Sequence, residues 1–186
     1  YHDHNGAQAR PGLLNDLEAG ARIALISDAG TPLVSDPGYK LVREAAERGI
    51  NVIAIPGASA PLAALASSGL PTDRFVFAGF PPPKSSARRR FLAEMKDVRA
   101  TLIFFEGSSR LAESLADMAG VLGAREAVVS RELTKKFEET RRGLLPDLAA
   151  RYEREGPPRG EIVVLVGPPG EAPATDEATL DAAILA

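Results

Sequence analysis

The sequence predicts an α/β fold, because short apolar runs typical of buried strands alternate with helical patterns along the chain. Residues 22–27 and 51–55 are apolar runs, and each leads through a loop rich in Gly and Pro into a helical segment. Two such units in succession predict parallel strands joined by right-handed crossovers. Three consecutive prolines, residues 81–83, interrupt the pattern before it resumes, so we place a hinge between two α/β lobes there.

The first lobe, residues 1–80, and the second lobe, residues 81–170, show the same alternation of elements. In the first lobe we predict helices at residues 11–19 and 39–48, and a third that residues 56–61 open and that ends at about residue 68. We predict strands at residues 22–27, 51–55 and 75–80. In the second lobe we predict helices at residues 84–97, 108–122 and 144–154, and strands at residues 101–105, 126–130, 136–142 and 162–166. Residues 171–186 are rich in Ala, Thr, Asp and Glu, which indicates a linker towards a missing C-terminal segment.

The composition narrows the chemistry that is open to this chain. Its 186 residues include no Cys and 2 His, so disulfides and Cys-based metal sites are excluded and no metal site is expected. The net charge of -3 argues against uniform coating by nucleic acid, and no apolar run is long enough to cross a bilayer. We therefore expect a cytoplasmic protein without membrane contact, whose chemistry depends on oxygen atoms, Lys, Arg and a bound cofactor.

The loop at residues 27–38 is the strongest candidate for an active site. It follows a predicted buried strand, and open α/β sheets bind small ligands outside the carboxyl ends of their strands. Three further loops follow predicted strands, at residues 56–60, 106–110 and 131–135. None of the fingerprints of dinucleotide sites, nucleotide triphosphate sites or serine hydrolases is present, so these three classes of site are not supported.

Two clusters of basic residues are candidates for contact with a nucleic-acid backbone. The first, on a predicted helix, contains Lys84, Arg88, Arg89 and Arg90, and the second contains Arg131, Lys135, Lys136, Arg141 and Arg142. Lys and Arg neutralise phosphates without reading the base sequence. A solvated helix face has the same composition, so that alternative stays open for each cluster.

Several longer motifs follow one another along the chain: HDHN, SDAGTPLVSDPG, IPGASA, LPTDRFVFAGFPP, RELTKKFEE and RGEIVVLV. In order and separation they resemble the ribosomal RNA small-subunit methyltransferase I family, which has the tetrapyrrole-methylase fold. The resemblance extends over residues 1–167. It implies two α/β lobes that hold S-adenosyl-L-methionine (AdoMet) between them, in a homodimer.

The resemblance also implies an activity, 2'-O-methylation of a cytidine ribose in the decoding region of 16S rRNA within the small ribosomal subunit. The AdoMet contacts that it implies by motif are Ala29, Gly30, Thr31, Val34, Ser59 and Ala60 from the first lobe, and Phe105, Leu133 and Thr134 from the second. The RNA-binding candidates are Lys84, Arg88, Arg89, Arg90 and Arg131.

The chain departs from the family pattern at both ends. Members of the family begin with a strand, a Pro-Ile-Gly-Asn-type loop and a Glu-Asp-Thr-Arg motif, and this sequence begins after all three. A small helical domain is expected beyond the last strand, and the sequence stops before it. We therefore expect a truncated chain in which the N-terminal strand and loop of the first lobe and a C-terminal helical domain are missing.

Methyl transfer to a neutral ribose hydroxyl requires that the oxygen lose its proton, so a general base is expected. The candidates are Lys135, Glu138 and Asp36, followed by Glu132, His2 and His4. Lys135 acts as a base only if the sulfonium of AdoMet and Arg131 lower its pKa, and otherwise it holds an RNA phosphate. Each carboxylate also has a structural alternative, because Asp36 is placed to cap a turn and Glu132 and Glu138 are placed to form ion pairs.

Two other functions are consistent with the same motifs. The fold also serves precorrin and uroporphyrinogen methylases and diphthine synthase, and a small-molecule methylase has no need of a basic helix. The second alternative is a non-catalytic module that binds AdoMet and RNA. A visible-absorption titration with a tetrapyrrole and a methyl-transfer assay with isolated small ribosomal subunits separate the three functions.

Overall fold

The computed structural model describes residue 1 and residues 5–170 of the chain. His2 and His4, together with the predicted linker at residues 171–186, lie outside the described residues. The chain divides into two compact units, Tyr1–Ala60 and Pro61–Ala186. Among the described residues, no helix combines the length and the apolar character needed to cross a bilayer.

The first unit contains the helices α1 (Gly6–Glu18) and α2 (Tyr39–Glu47). Leu14, Leu41 and Ala45 form its buried apolar cluster. Both helices are predicted from the sequence, and α2 matches its predicted bounds closely. α1 begins earlier than predicted and continues through Pro11. Pro11 lies inside α1, where a proline removes one i→i−4 backbone hydrogen bond, and the helix starts earlier than predicted in spite of that loss.

The strands predicted at residues 22–27 and 51–55 are not formed in the described part of the first unit. Neither segment has a paired neighbour among the described residues, and Ile26 is 84% exposed and Ile53 73% exposed. A strand exists through hydrogen bonds to an adjacent strand, so an apolar sequence alone does not produce one. The prediction of a parallel sheet in this unit is therefore corrected for the residues that the structure describes.

The second unit is built on a five-stranded sheet with the strand order β1-β2-β5-β3-β4. The strands are β1 (Phe75–Phe77), β2 (Thr101–Glu106), β3 (Glu126–Arg131), β4 (Glu139–Leu144) and β5 (Ile162–Val166). The helices are α3 (Ala60–Ser68), α4 (Ser85–Ala93), α5 (Leu111–Leu122) and α6 (Leu145–Glu155), with a 3-10 turn at Ser108–Arg110. β1 is parallel to β2, and the other pairs are antiparallel. The predicted strands of the second lobe are all present, in a mixed sheet.

The boundary between the units differs from the predicted hinge at residues 81–83. β1 precedes the three prolines, yet it pairs with β2, and the amide of Phe105 donates to the carbonyl of Gly79 at 2.9 Å. A strand belongs with the sheet that satisfies its backbone groups. Residues 61–80 therefore belong to the second unit, and the prolines form a connection between β1 and α4.

The two faces of the sheet are covered by separate apolar layers, which we call the α5 layer and the α3 layer. In the α5 layer, Leu102 and Phe104 of β2 pack with residues of α4, α5 and α6. In the α3 layer, Ile103 of β2 packs with Ala64 and Leu65 of α3. Because successive strand residues point to opposite faces, β2 contributes to both layers, and Phe105 joins the α3 layer.

Candidate active site

The two loops of the first unit that are rich in Gly and Pro meet each other. The hydroxyl of Thr31 donates to the carbonyl oxygen of Ala58 at 3.0 Å. A Cβ atom placed on Gly30 would lie 3.7 Å from the same oxygen. Gly30, Thr31 and Ala58 therefore form a contact between the loops at residues 27–38 and 56–60, even though the segments that precede these loops are not paired.

The loop at residues 27–38 is held in an unusual backbone conformation. Left-handed φ angles occur at Gly30, Leu33, Ser35 and Gly38. For residues other than glycine this conformation costs on the order of 1–3 kcal/mol each, and such strain is concentrated at ligand sites. The hydroxyl of Ser27 lies 2.8 Å from Oδ2 of Asp36 and 2.9 Å from the carbonyl oxygen of Ala29, which ties the two ends of the loop together.

The AdoMet candidates of the first unit lie at the surface of that unit. Ala29, Gly30, Val34 and Ala60 are exposed, and Thr31 and Ser59 are partly exposed. Small side chains and glycine let a ligand approach the backbone closely. The loops thus fit a ligand that is bound through backbone groups, which is the type of contact that the motif resemblance implies for AdoMet.

In the second unit, the structure brings two of the three AdoMet candidates to one face of the sheet. Phe105 and Leu133 both pack on the α3 layer. The ring centroid of Phe105 is 4.9 Å from that of Phe77 in an edge-to-face contact. Thr134 is exposed with a φ of 65°, and its amide donates to a carboxylate oxygen of Glu138 at 2.6 Å.

Lys135 forms two ion pairs in the structure. Its Nζ lies 2.9 Å from Oε2 of Glu161 and 3.0 Å from Oε1 of Glu132. Hydrogen bonds to Glu161 and then to Glu132 raise the pKa of Lys135 above its ordinary value. A base hypothesis requires the opposite direction, because an ammonium that keeps its proton at neutral pH accepts none. The structure therefore favours the ion-pair role of Lys135, and its role as a base beside a bound sulfonium stays a prediction.

The three candidate carboxylates, Glu132, Glu138 and Asp36, differ in their hydrogen bonds. The backbone N–H of Glu161 and, after it, Lys135 lower the pKa of Glu132, so Glu132 is the anion that holds this turn. Glu138 accepts from Thr134, and Asp36 of the first unit accepts from Ser27. Glu138 and Asp36 therefore stay as candidate bases, each already oriented by one hydrogen bond.

Arg88 is a structural residue rather than part of an RNA-binding surface. Its side chain is buried, and Nε donates to Oδ2 of Asp117 at 2.8 Å. Nη1 donates to the carbonyl of Pro83 at 3.1 Å, and Nη2 lies 2.9 Å from Oε1 of Glu113. A guanidinium enclosed in this way does not reach a phosphate, so the RNA-binding prediction is corrected to exclude Arg88.

The other cations of α4 and its N-cap remain at the surface. Lys84, Arg89 and Arg90 are exposed, and Arg89 keeps 51% of its side chain exposed although Nη1 is 3.4 Å from Oδ1 of Asp117. Arg131 is more engaged, because it donates to the carbonyl of Arg159 at 3.2 Å and lies 3.3 Å from Oε2 of Glu139. The exposed charge of the first basic cluster is therefore the better match to a phosphate backbone.

The second basic cluster is largely bound within the protein. Arg142 donates to the carbonyls of Ser68 and Ser67 at 2.8 and 2.6 Å, and so caps the carboxyl end of α3. Arg141 contacts Glu139 at 2.7 Å and Glu155 at 2.5 Å. These contacts support the structural alternative for these two arginines.

Sequence reasoning missed two buried carboxylates. Glu106, at the end of β2, accepts from the amide of Gly107 at 2.7 Å, from Nε of Arg110 at 3.1 Å and from the hydroxyl of Ser114. Asp117 lies on the buried side of α5 and accepts from Arg88. A polar residue on a buried apolar face needs a hydrogen-bonding partner. The position of Glu106 and Asp117 among apolar residues is the sequence signal by which they could have been found.

Comparison with known proteins gives a consistent set of relatives. The tetrapyrrole (corrin/porphyrin) methylases match residues 3–149. The ribosomal RNA small subunit methyltransferase I of Mesorhizobium japonicum is 56% identical over 186 residues, which are 100% of this chain and 63% of that protein. The protein of the same name from Micromonospora olivasterospora is 47% identical over 98% of this chain and 58% of its own length. The chain thus spans about three fifths of the length of these relatives.

Solved structures share the fold at lower identity. Diphthine synthase superposes with a TM-score of 0.63 and 15% identity, over 90% of this chain and 68% of that one. The uroporphyrin-III C-methyl transferase of Thermus thermophilus, complexed with S-adenosyl homocysteine, has a TM-score of 0.58 and 20% identity, over 90% of this chain and 75% of that one. At these identities the likeness concerns the fold.

Proposed function

This chain belongs to the tetrapyrrole methylase family, and from that premise we propose that the full-length protein uses AdoMet to methylate the 2'-hydroxyl of a cytidine ribose in the decoding region of 16S rRNA. The predicted fold class and the predicted resemblance are confirmed. The names of the relatives support an rRNA substrate. The motif resemblance supports the further proposals of a homodimer and of action in the cytoplasm on the small ribosomal subunit.

The contact between the two loops of the first unit carries this proposal. Thr31 and Ala58, joined at 3.0 Å, bring together the two motifs to which the resemblance assigns most of the AdoMet contacts. The proposed contacts are Ala29, Gly30, Thr31, Val34, Ser59 and Ala60 in the first unit, and Phe105, Leu133 and Thr134 in the second. Bound to these residues, AdoMet would supply an electrophilic methyl group on a sulfonium sulfur.

The remaining chemistry falls to the protein itself. It must hold the ribose hydroxyl in line with the methyl group and remove the proton of that hydroxyl, and a positioned base contributes about 10²- to 10⁴-fold. We propose Glu138 as the first choice, because its carboxylate already lies 2.6 Å from the amide nitrogen of Thr134, a proposed cofactor contact. Asp36 is the second choice.

The exposed cations on α4 give a testable RNA-binding surface. Replacing Arg89 and Arg90 together by alanine is expected to weaken binding to small ribosomal subunits and to flatten its dependence on salt by about one unit of slope per lost phosphate contact. AdoMet binding should not change, because neither residue is among the proposed cofactor contacts. Filter binding of the full-length protein at several salt concentrations measures the slope.

The matched control removes two positive charges elsewhere on the same unit. Arg151 and Arg154 are exposed on α6, and their double replacement by alanine changes the net charge equally. It should leave the salt slope as in the unmodified protein. Equal slopes for the two double variants would show that α4 does not contact the RNA backbone.

A tetrapyrrole methyltransferase is the alternative function with which the family membership is also consistent. Full-length protein with methyl-labelled AdoMet is offered isolated small ribosomal subunits and a tetrapyrrole in parallel reactions. We expect label in the rRNA and none in the tetrapyrrole. Label in the tetrapyrrole alone contradicts the proposal, and AdoMet binding with no transfer to either acceptor favours the non-catalytic module.

A further inference from the structure

Phe80 is an exposed aromatic residue that the proposed chemistry does not use. It follows β1 and is 56% exposed. Its ring centroid lies 5.3 Å from that of Phe105, which itself packs on the α3 layer. The ring is thus supported by a neighbouring ring and still keeps more than half of its surface free.

The backbone on both sides of Phe80 is fixed to the second unit. Before it, the carbonyl of Gly79 accepts from the amide of Phe105 at 2.9 Å. After it, Pro81 is buried, and the carbonyl of Pro83 accepts from the buried Arg88 at 3.1 Å. Proline residues further restrict this segment. A ring that is held in place before binding loses little conformational entropy when it contacts a ligand.

Positive charge follows Phe80 closely along the chain. Lys84 is the exposed N-cap of α4 and stands four residues later, so their Cα atoms are at most about 14 Å apart. Arg89 and Arg90 are exposed further along the same helix. Proteins that bind single-stranded RNA combine aromatic rings, on which bases stack, with cations that bind the phosphates.

We propose that Phe80 is a stacking platform for one unpaired nucleobase of the RNA substrate. The inference rests on the proposed function, since it requires an RNA substrate. Stacking involves no phosphate, so its loss lowers RNA affinity without changing the salt slope. In that respect Phe80 differs from Arg89 and Arg90, whose loss changes the slope.

The test compares full-length variants in methyl-transfer kinetics with isolated small ribosomal subunits. Phe80→Leu keeps an apolar side chain and removes the ring, and it is expected to raise KM for the subunits about tenfold, within the range measured for single stacking contacts. The kcat, the AdoMet dissociation constant and the salt slope should be unchanged. Phe80→Tyr retains a ring and should behave like the unmodified protein, and Phe80→Met is a second non-aromatic variant expected to match Phe80→Leu.

Phe75→Leu is the matched control, because Phe75 is a 43% exposed ring at the start of β1. It should leave KM unchanged. An unchanged KM in Phe80→Leu, an equal loss in Phe80→Tyr, or a loss of AdoMet binding in Phe80→Leu each overturns the stacking role, the last by assigning Phe80 to the cofactor. If the unmodified full-length protein does not methylate small subunits, the proposed function itself fails. If it does and Phe80→Leu is normal, only this inference fails.

Discussion

Replacing Asp117 by alanine is expected to lower the free energy of unfolding by about 3–5 kcal/mol, because it leaves the buried guanidinium of Arg88 without its main partner. Arg88 is among the largest fully buried side chains of the described residues. Asp117 accepts its Nε at 2.8 Å and lies 2.7 Å from its Nη2. Urea unfolding of the full-length protein measures the change, provided that the slope with denaturant is unaltered.

The control for Asp117 is the second carboxylate around the same guanidinium. Glu113 lies 2.9 Å from Nη2 of Arg88, but its side chain is 60% exposed. Glu113→Ala should therefore cost at most about 1 kcal/mol. The double variant Arg88→Met, Asp117→Leu should regain much of the stability, since apolar groups of similar size often replace a buried ion pair well. Equal losses in Asp117→Ala and Glu113→Ala would contradict the assigned role of Asp117.

Replacing Gly30 by valine is expected to raise the AdoMet dissociation constant at least about tenfold. The backbone of Gly30 has a φ of +72°, a conformation that costs other residues roughly 1–2 kcal/mol and a β-branched residue more. The added side chain would also project from the loop contact at Ala58, where close approach of the ligand to the backbone is proposed. Calorimetry with the full-length protein measures the binding.

Gly49 provides a closely matched control for the backbone strain. Its φ is +70°, no atom lies within 4 Å of an added Cβ, and it belongs to the same unit outside the proposed site. Gly49→Val should lose a similar amount of stability and keep its affinity for AdoMet. If both variants bind AdoMet equally, the loop at residues 27–38 is not the cofactor site.

The second unit follows the sequence pattern closely because its apolar runs have partners within the described chain. The strand predicted at residues 162–166 is β5, with the same ends, and it is buried along its whole length between β2 and β3. Continuous apolar runs bounded by Gly and Pro are typical of strands covered on both faces. There, local pattern and long-range pairing agree.

The first unit shows what a local pattern leaves undetermined. Residues 22–27 and 51–55 have the composition of strands, but composition does not specify a neighbour, and no neighbour pairs with them in the described residues. The predicted lobe boundary differs from the observed one for the same reason. The pairing of β1 with β2 is a long-range contact, and the three prolines do not indicate it. The contact of Thr31 with Ala58 joins two of the four loops that follow predicted strands.

The basic helix α4 shows why the sequence alone does not identify which residues of a candidate site are accessible. The three consecutive arginines of α4 are the same residue type, yet Arg88 is buried while Arg89 and Arg90 are exposed. Arg88 lies four residues before the buried Leu92, so helical spacing places both on one face. The partner that makes burial of the charge tolerable, Asp117, comes from another helix and is not identified by the pattern of α4 itself.

The position of the transferred methyl group tests the central proposal most directly. Small ribosomal subunits are incubated with AdoMet and the full-length protein, and the extracted 16S rRNA is treated with alkali, which cleaves RNA through the free 2'-hydroxyl. The proposal predicts one new alkali-resistant linkage, at a cytidine of the decoding region, formed only when AdoMet is present. Methylated rRNA that remains fully cleavable by alkali, or rRNA without any transferred methyl group, would contradict it.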